Sequence, residues 1–218
     1  MREHKLRLFL WVFLTQAFSA YAFDDGDFQV WHTEAQEKKI SKNSKITAEE
    51  EVRFGDDASD FYYQHYDLGY VYSVNKNLDL GFNYRQVYEK RNGHFREENR
   101  PHLNATVKWE AWKTKLEDRS RLEYRHFYWQ EDSWRYRNKF SVKFPWKFTA
   151  LEIQPYLADE MFLNLNGIDF NRNRFYAGAG FNIFNNIKGE IFYLLQRSKS
   201  SGKWTDANVL GTKIKISF

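Results

Sequence analysis

From Leu116 to Phe144 the chain alternates charged and apolar residues almost one by one. Glu117, Arg119, Arg121, Glu123 and Arg125 interleave with Leu116, Leu122, Tyr124 and His126; after a turn, Arg135, Arg137, Lys139 and Lys143 interleave with Trp134, Tyr136, Phe140, Val142 and Phe144. Successive side chains of a strand point to opposite faces, so each of these strands carries one ionic and one apolar face. Two faces that differ so strongly meet two different solvents. The pattern is that of an outer-membrane β-barrel with a polar interior and an apolar wall.

Composition supports this class through an apparent conflict. Mean hydropathy is −0.76, yet aromatics make up 19% of the 218 residues and only three prolines occur. Polar chains that stay disordered are poor in aromatics, whereas a barrel keeps half of each strand polar. Residues 1–22 read as a signal peptide. Arg2, Lys5 and Arg7 are its basic start, Leu8 to Leu14 its apolar core and Ala20-Tyr21-Ala22 its small-x-small cleavage site. Removing Arg2, Lys5, Arg7 and Glu3 from totals of 33 basic and 29 acidic residues leaves 30 and 28. That balance does not point to nucleic acid. Beyond residue 22 no apolar run is long enough for a membrane helix. Cysteine is absent, so the exported chain must rely on packing or on a closed hydrogen-bond network.

Residues 23–218 read as one domain, an all-β, antiparallel up-and-down transmembrane barrel of 10–12 strands. Candidate strands span 27–39, 45–54, 61–74, 77–89, 101–112, 114–128, 134–145, 149–163, 171–183, 187–198 and 205–218, separated by turn chemistry such as Asn75-Lys76-Asn77, Asn92-Gly93 and Asn185-Asn186. Tight connections are expected near 75–77, 113–114, 145–146 and 185–186, and longer outer loops near 90–100, 129–133, 164–170 and 199–204. Eleven segments conflict with the even strand number of bacterial single-chain barrels. Ten strands with residues 23–40 set aside is the favoured solution, and twelve the alternative.

The alternation assigns Leu78, Leu80, Phe82, Tyr84, Leu103, Ala105, Val107, Trp109, Leu151, Ile153, Leu157, Phe175, Ala177, Ala179 and Phe181 to the lipid face. Tyr62, Tyr70, Tyr72, Trp109, Trp112, Trp134 and Trp204 suit interfacial girdles. The lumen is expected to carry a ladder of Glu117, Arg119, Arg121, Glu123, Arg125, Arg135, Arg137, Glu152, Glu160, Arg172 and Arg174, together with Asp79, Arg85, Lys108, Glu110 and Glu190. Mixed charges pair across strands, so a salt-bridged plug is the first reading of this ladder and an Arg-lined anion path the second. A soluble periplasmic barrel would instead turn the apolar faces inward around a greasy ligand. The terminal Lys213-Ile214-Lys215-Ile216-Ser217-Phe218 favours the membrane. Ile214, Ile216 and Phe218 form an assembly signal of the kind read by the barrel-assembly machinery, and outer-membrane lipids are then the chain's surroundings.

Four segments resemble a bacterial outer-membrane barrel family, domain of unknown function 2490: Asp27 to Thr33, Glu51 to Phe54, Asp118 to Arg125 and Asn171 to Gly178. The resemblance covers nearly all of residues 23–218. It implies an outer-membrane location and supplies no catalytic residue, because the family's activity is not established.

No enzyme motif stands out. A lipid hydrolase would need a nucleophile beside a histidine. Ser120 and His126 share a face but lie about 20 Å apart along a strand. The six histidines therefore read as interface or loop residues. Glu123 and Glu160 read as ion-paired rather than as an acid–base pair, Asp56, Asp57 and Asp60 as a solvated acidic loop, and Gly178 and Gly180 as relief of crowding in the lumen rather than a phosphate cradle. The expectation is a monomer without enzymatic activity, metal or cofactor, structural or forming a narrow channel, with an outer-membrane lipid-modifying enzyme as the alternative.

Overall fold

The computed structural model describes residues 24–218, and the expected signal peptide lies outside them. The strands are β1 (Asp27–Lys39), β2 (Ser44–Gly55), β3 (Asp60–Asn75), β4 (Leu78–Arg91), β5 (His94–Ala111), β6 (Thr114–Phe127), β7 (Ser133–Lys143), β8 (Gln154–Asn164), β9 (Asp169–Phe184), β10 (Ile187–Ser200) and β11 (Lys203–Ser217). They form one closed barrel in which sequence neighbours pair antiparallel. β1 closes the sheet against β11 in parallel, from Asp27 opposite Ala207 to Glu37 opposite Ser217. The parity conflict is thereby resolved. An odd number of up-and-down strands closes only through one parallel pair, so residues 27–39 are a barrel strand and the favoured ten-strand count is corrected to eleven. Asp27 and Phe218 consequently lie at opposite ends of the barrel, called below the Asp27 end and the Phe218 end.

Turn chemistry sets the strand ends. Asn92-Gly93 and Ser201-Gly202 both have positive φ at both residues, 51° and 78°, then 49° and 80°, the twist that two-residue hairpins need. These turns pair β4 with β5 up to Arg91–His94 and β10 with β11 up to Ser200–Lys203. The long outer loops expected at 90–100 and 199–204 are thus strand and tight turn. The reverse correction applies at Pro145-Trp146, where no tight turn forms. Residues 144–153 make the longest connection, because Pro145 lacks an N–H for the ladder and Thr149 and Glu152 both have positive φ, 62° and 51°. β8 starts only at Gln154, so Leu151 and Ile153 leave the wall.

The two faces segregate as the alternation requires. Leu68, Phe82, Leu103, Phe175, Ile191 and Leu210 point outward and are exposed, whereas Glu123 and Glu160 point inward at 0% and 1% exposure. Trp134 and Trp204 sit outward near the Asp27 end, and Tyr70, Tyr72 and Trp109 toward the Phe218 end. Tyr62 departs from the expected girdle. Arg53 pairs with Tyr63 but Phe54 with Phe61, so Tyr62 is the extra residue of a bulge. Both tyrosines are buried, and the Tyr62 hydroxyl donates to Gln29 Oε1 at 2.8 Å. The outer wall also carries polar side chains. Asn138 donates to Asp118 at 2.7 Å, Asn173 donates to Asp159 at 3.0 Å, and Glu34 stands opposite Glu50 on β1 and β2.

Candidate functional site

The lumen is sealed by an ion-paired layer whose centre is Arg137. Its Nη1 donates to Glu123 Oε1 at 2.9 Å and its Nη2 to Glu160 Oε1 at 2.7 Å, so one guanidinium on β7 joins carboxylates from β6 and β8. Glu123 also accepts from Arg135 Nε at 2.6 Å and lies 3.6 Å from Arg121 Nη1. Glu160 accepts from Arg119 Nη2 at 3.0 Å and from the Tyr176 hydroxyl at 3.1 Å, with Arg174 Nη1 at 3.7 Å. A second group has Arg100 and Arg125 on Glu98 at 2.7 and 2.8 Å, and a third has Arg85 on Asp67 at 2.8 Å. An isolated buried charge costs several kcal/mol, and pairing with several hydrogen bonds offsets that cost. Here Glu98, Glu123 and Glu160 each meet two or more cations.

Apolar side chains fill the remainder of this layer. Phe162, Leu194, Val209 and Val87 are fully buried, and the Arg137 and Arg174 guanidinium carbons lie 4.5 and 4.9 Å from the Phe162 ring centroid. Arg53 stacks between Trp31 and Tyr63, 3.7 and 4.1 Å from their centroids. Gly178 makes room for two of the neighbouring rings. A Cβ there would stand 2.6 Å from Phe192 Cβ and 2.9 Å from Tyr156 Cε1, the crowding relief expected of this glycine, whereas Gly180 relieves none, having only the Gly189 carbonyl oxygen at 3.9 Å.

The residues of the expected ladder line the inner face from one end of the barrel to the other, with one exception. Glu117, Arg119, Arg121, Glu123, Arg125, Arg135, Arg137, Glu160, Arg172 and Arg174 all face inward. Glu152 instead stands in the 144–153 connection on Lys147 at 2.9 Å, because its positive φ keeps it out of β8. His65 and His102 correct another expectation, being buried in the lumen rather than placed at interfaces or in loops. His65 Nε2 is 3.4 Å from Glu49 and His102 Nδ1 is 3.3 Å from the Arg100 carbonyl. Sequence reasoning missed Glu98 and Arg100 because residues 90–100 read as a loop, although Glu98-x-Arg100-x-His102 already showed a strand's alternation. Ser120 and His126 remain apart: Ser120 bonds the Tyr136 hydroxyl, while His126 Nδ1 lies 3.0 Å from Asp132. Asp60 is held by Lys90 at 2.6 Å, and among the described residues no group of acids and histidines has metal-site geometry. Ile214 and Phe218 are exposed on the outside, while Lys213 and Lys215 turn inward onto Glu49 and Glu37 at 2.7 and 2.9 Å.

A cavity of about 540 Å³, bordered by Asp79, Lys108, Glu117, Arg119, Lys139 and Lys213, lies toward the Phe218 end. It continues into a mouth of about 620 Å³ that adds Lys76, Lys115 and Lys143. At the Asp27 end a smaller hollow of about 290 Å³ is bordered by Arg53, Tyr62, Arg172 and Asp206.

A family model described as protein of unknown function (DUF2490) matches residues 28–207, from the second residue of β1 into β11. The chain belongs to that family. No curated protein matches the DUF2490 barrel. The matched span contains every charged residue of the sealed layer named above, and of its apolar residues only Val209 lies past the end of the match.

Proposed function

We propose that this DUF2490 chain is an outer-membrane β-barrel whose lumen is closed at rest by its own ion pairs. One observation carries the reading: the charged faces of the strands point in and the apolar faces point out. A barrel built to hold a greasy ligand in water needs the reverse arrangement. The two rows of outward aromatics match the interfacial girdles of membrane barrels, and the inward acids and bases neutralise one another across neighbouring strands. The sealed layer favours a structural role, or a channel that conducts only when Arg137 releases one of its carboxylates.

Fractionation of the expressed chain, with mobility compared before and after boiling, tests the location. The expected result is a detergent-requiring band whose mobility shifts on heating. Recovery as a soluble periplasmic protein would sink the membrane reading. Planar-bilayer recording then tests closure: the wild type is expected to show no steady conductance, and a large constant current would sink the sealed-lumen part.

A further inference from the structure

The inner face of the β6–β7 pair carries like charges opposite one another. Lys115 pairs with Lys143 at the mouth, Arg119 with Lys139 in the cavity and Arg121 with Arg137 in the sealed layer. Like charges directly opposite on one face of a sheet are destabilising. In the sealed layer Glu123 and Glu160 relieve the repulsion. Further down only Glu160 serves the facing pair: it accepts from Arg119 and stands opposite Lys139 on β8, without an ion pair to the lysine. Among the described residues no carboxylate lies within 4.0 Å of the ammonium of Lys115, Lys139 or Lys143. Lys139 Nζ instead sits 3.8 Å from the Tyr176 ring centroid and borders both the cavity and its mouth. Arg119 gives one Nη2 to Glu160, while its buried Nε has no partner.

We propose that this face is an anion-binding track, leading a small phosphate- or carboxylate-bearing solute from the Phe218 end to a site between Arg119 and Lys139. An oxyanion there would accept from both cations and remove the repulsion of the facing pair, as charge-assisted hydrogen bonds do in other oxyanion sites. The cavity of about 540 Å³ is in the range that holds a sugar-sized ligand. The sealed layer makes the site a blind one, so the solute enters and leaves by the same mouth. The proposal rests on the lumen alone and not on the membrane reading.

Calorimetric titration of the detergent-purified full chain with a hexose monophosphate tests it, with the neutral hexose as control. The expected result is millimolar or tighter binding of the phosphate, no binding of the hexose, and several-fold weakening between about 50 and about 300 mM salt. Lys139→Gln is expected to weaken binding about tenfold, the effect of losing one charge-assisted hydrogen bond. Lys203→Gln, at the other end of the barrel, should leave it unchanged. Heat-modified mobility checks that each variant is closed. If Lys139→Gln does not fold, the exposed double variant Lys115→Gln/Lys143→Gln replaces it, with loss of at least about threefold expected from the mouth. Absence of binding at about 20 mM phosphate ester, equal binding of the hexose, or unchanged affinity in the folded lysine variants would each overturn the proposal.

Discussion

One set of alternating strands builds two unlike halves of a lumen. Around Arg137 the inner face is dry: Glu123 and Glu160 are closed over by guanidinium groups and by Phe162. A few residues along the same strands, toward the Phe218 end, the inner face is open, and Lys139 lies against an aromatic face and the cavity, opposite Glu160 but beyond ion-pair distance of it. The difference lies in what stands beside the charges. Arg119, Arg121 and Arg137 are within reach of Glu123 or Glu160, whereas among the described residues no acid lies within ion-pair distance of Lys115, Lys139 or Lys143. Large side chains also crowd the dry half, and Gly180 is among the residues around the open one. Burial of charge in one place and its availability in another thus follow from which residue types face each other across the ladder.

The largest effect is expected where the dry half loses an acid. Glu123→Ala would leave Arg135 and Arg137 buried with one carboxylate fewer, and breaking a buried pair in this way costs about 3–5 kcal/mol. Unfolding in urea from detergent or lipid measures it. Lys139→Ala, the matching deletion in the open half, is expected to change stability by less than about 1 kcal/mol, since the lysine has no ion pair to lose. Equal costs for the two variants would erase the distinction between the halves.

Two glycines on β9 give a finer comparison. Gly178 faces Tyr156 and Phe192, and an added Cβ would also stand 2.7 Å from the Ile191 carbonyl oxygen. The backbone cannot move aside cheaply, so Gly178→Ala is expected to destabilise by about 1–3 kcal/mol through overpacking. Gly180, two residues nearer the mouth, has only the Gly189 carbonyl oxygen at 3.9 Å. Gly180→Ala is expected to be neutral or stabilising by about 0.5 kcal/mol, through the reduced freedom of the unfolded chain. Paired thermal shifts of the two variants check the contrast, and a neutral Gly178→Ala would show that the dry half is not packed to its limit.

Alternation along single strands made the barrel class and the inward ladder legible. It did not reveal which charges meet, because that depends on register between strands. Arg137 reaches Glu123 and Glu160 only because β7 holds Arg137 opposite Arg121 on one side and Phe162 on the other. The same register places Lys139 against Arg119, and no single-strand pattern contains that fact. Closure was hidden for a similar reason, since an alternating strand can pair in either direction and β1 shows nothing that selects a parallel partner. Tyr62 and Glu152 were misplaced by local irregularities, a bulge in one case and left-handed backbone in the other. Two-residue periodicity assumes that neither occurs.

A carboxylate outside both halves shows how much of this behaviour needs burial at all. Asp132, in the 128–132 connection, is half-buried, and hydrogen bonds from His126, the Tyr124 hydroxyl and the Phe127 amide hold its carboxyl down at about 2 against an ordinary 3.8. Its depressed pKa stabilises the fold fully above about 4, and that contribution disappears as pH falls from 3.8 toward 2. Because the group lies at the barrel rim, where solvent screens it, the effect is expected to be smaller than those of the substitutions above and confined to the end of β6. The Phe127 amide, which donates to Asp132 Oδ1 at 3.0 Å, reports it directly. Its chemical shift should titrate with a midpoint of about 2 in the wild type and lose that transition in Asp132→Asn. A midpoint near 3.8 would mean that the three donors do not hold the carboxylate in solution, and that strong control of a carboxylate in this barrel is reserved for the buried layer.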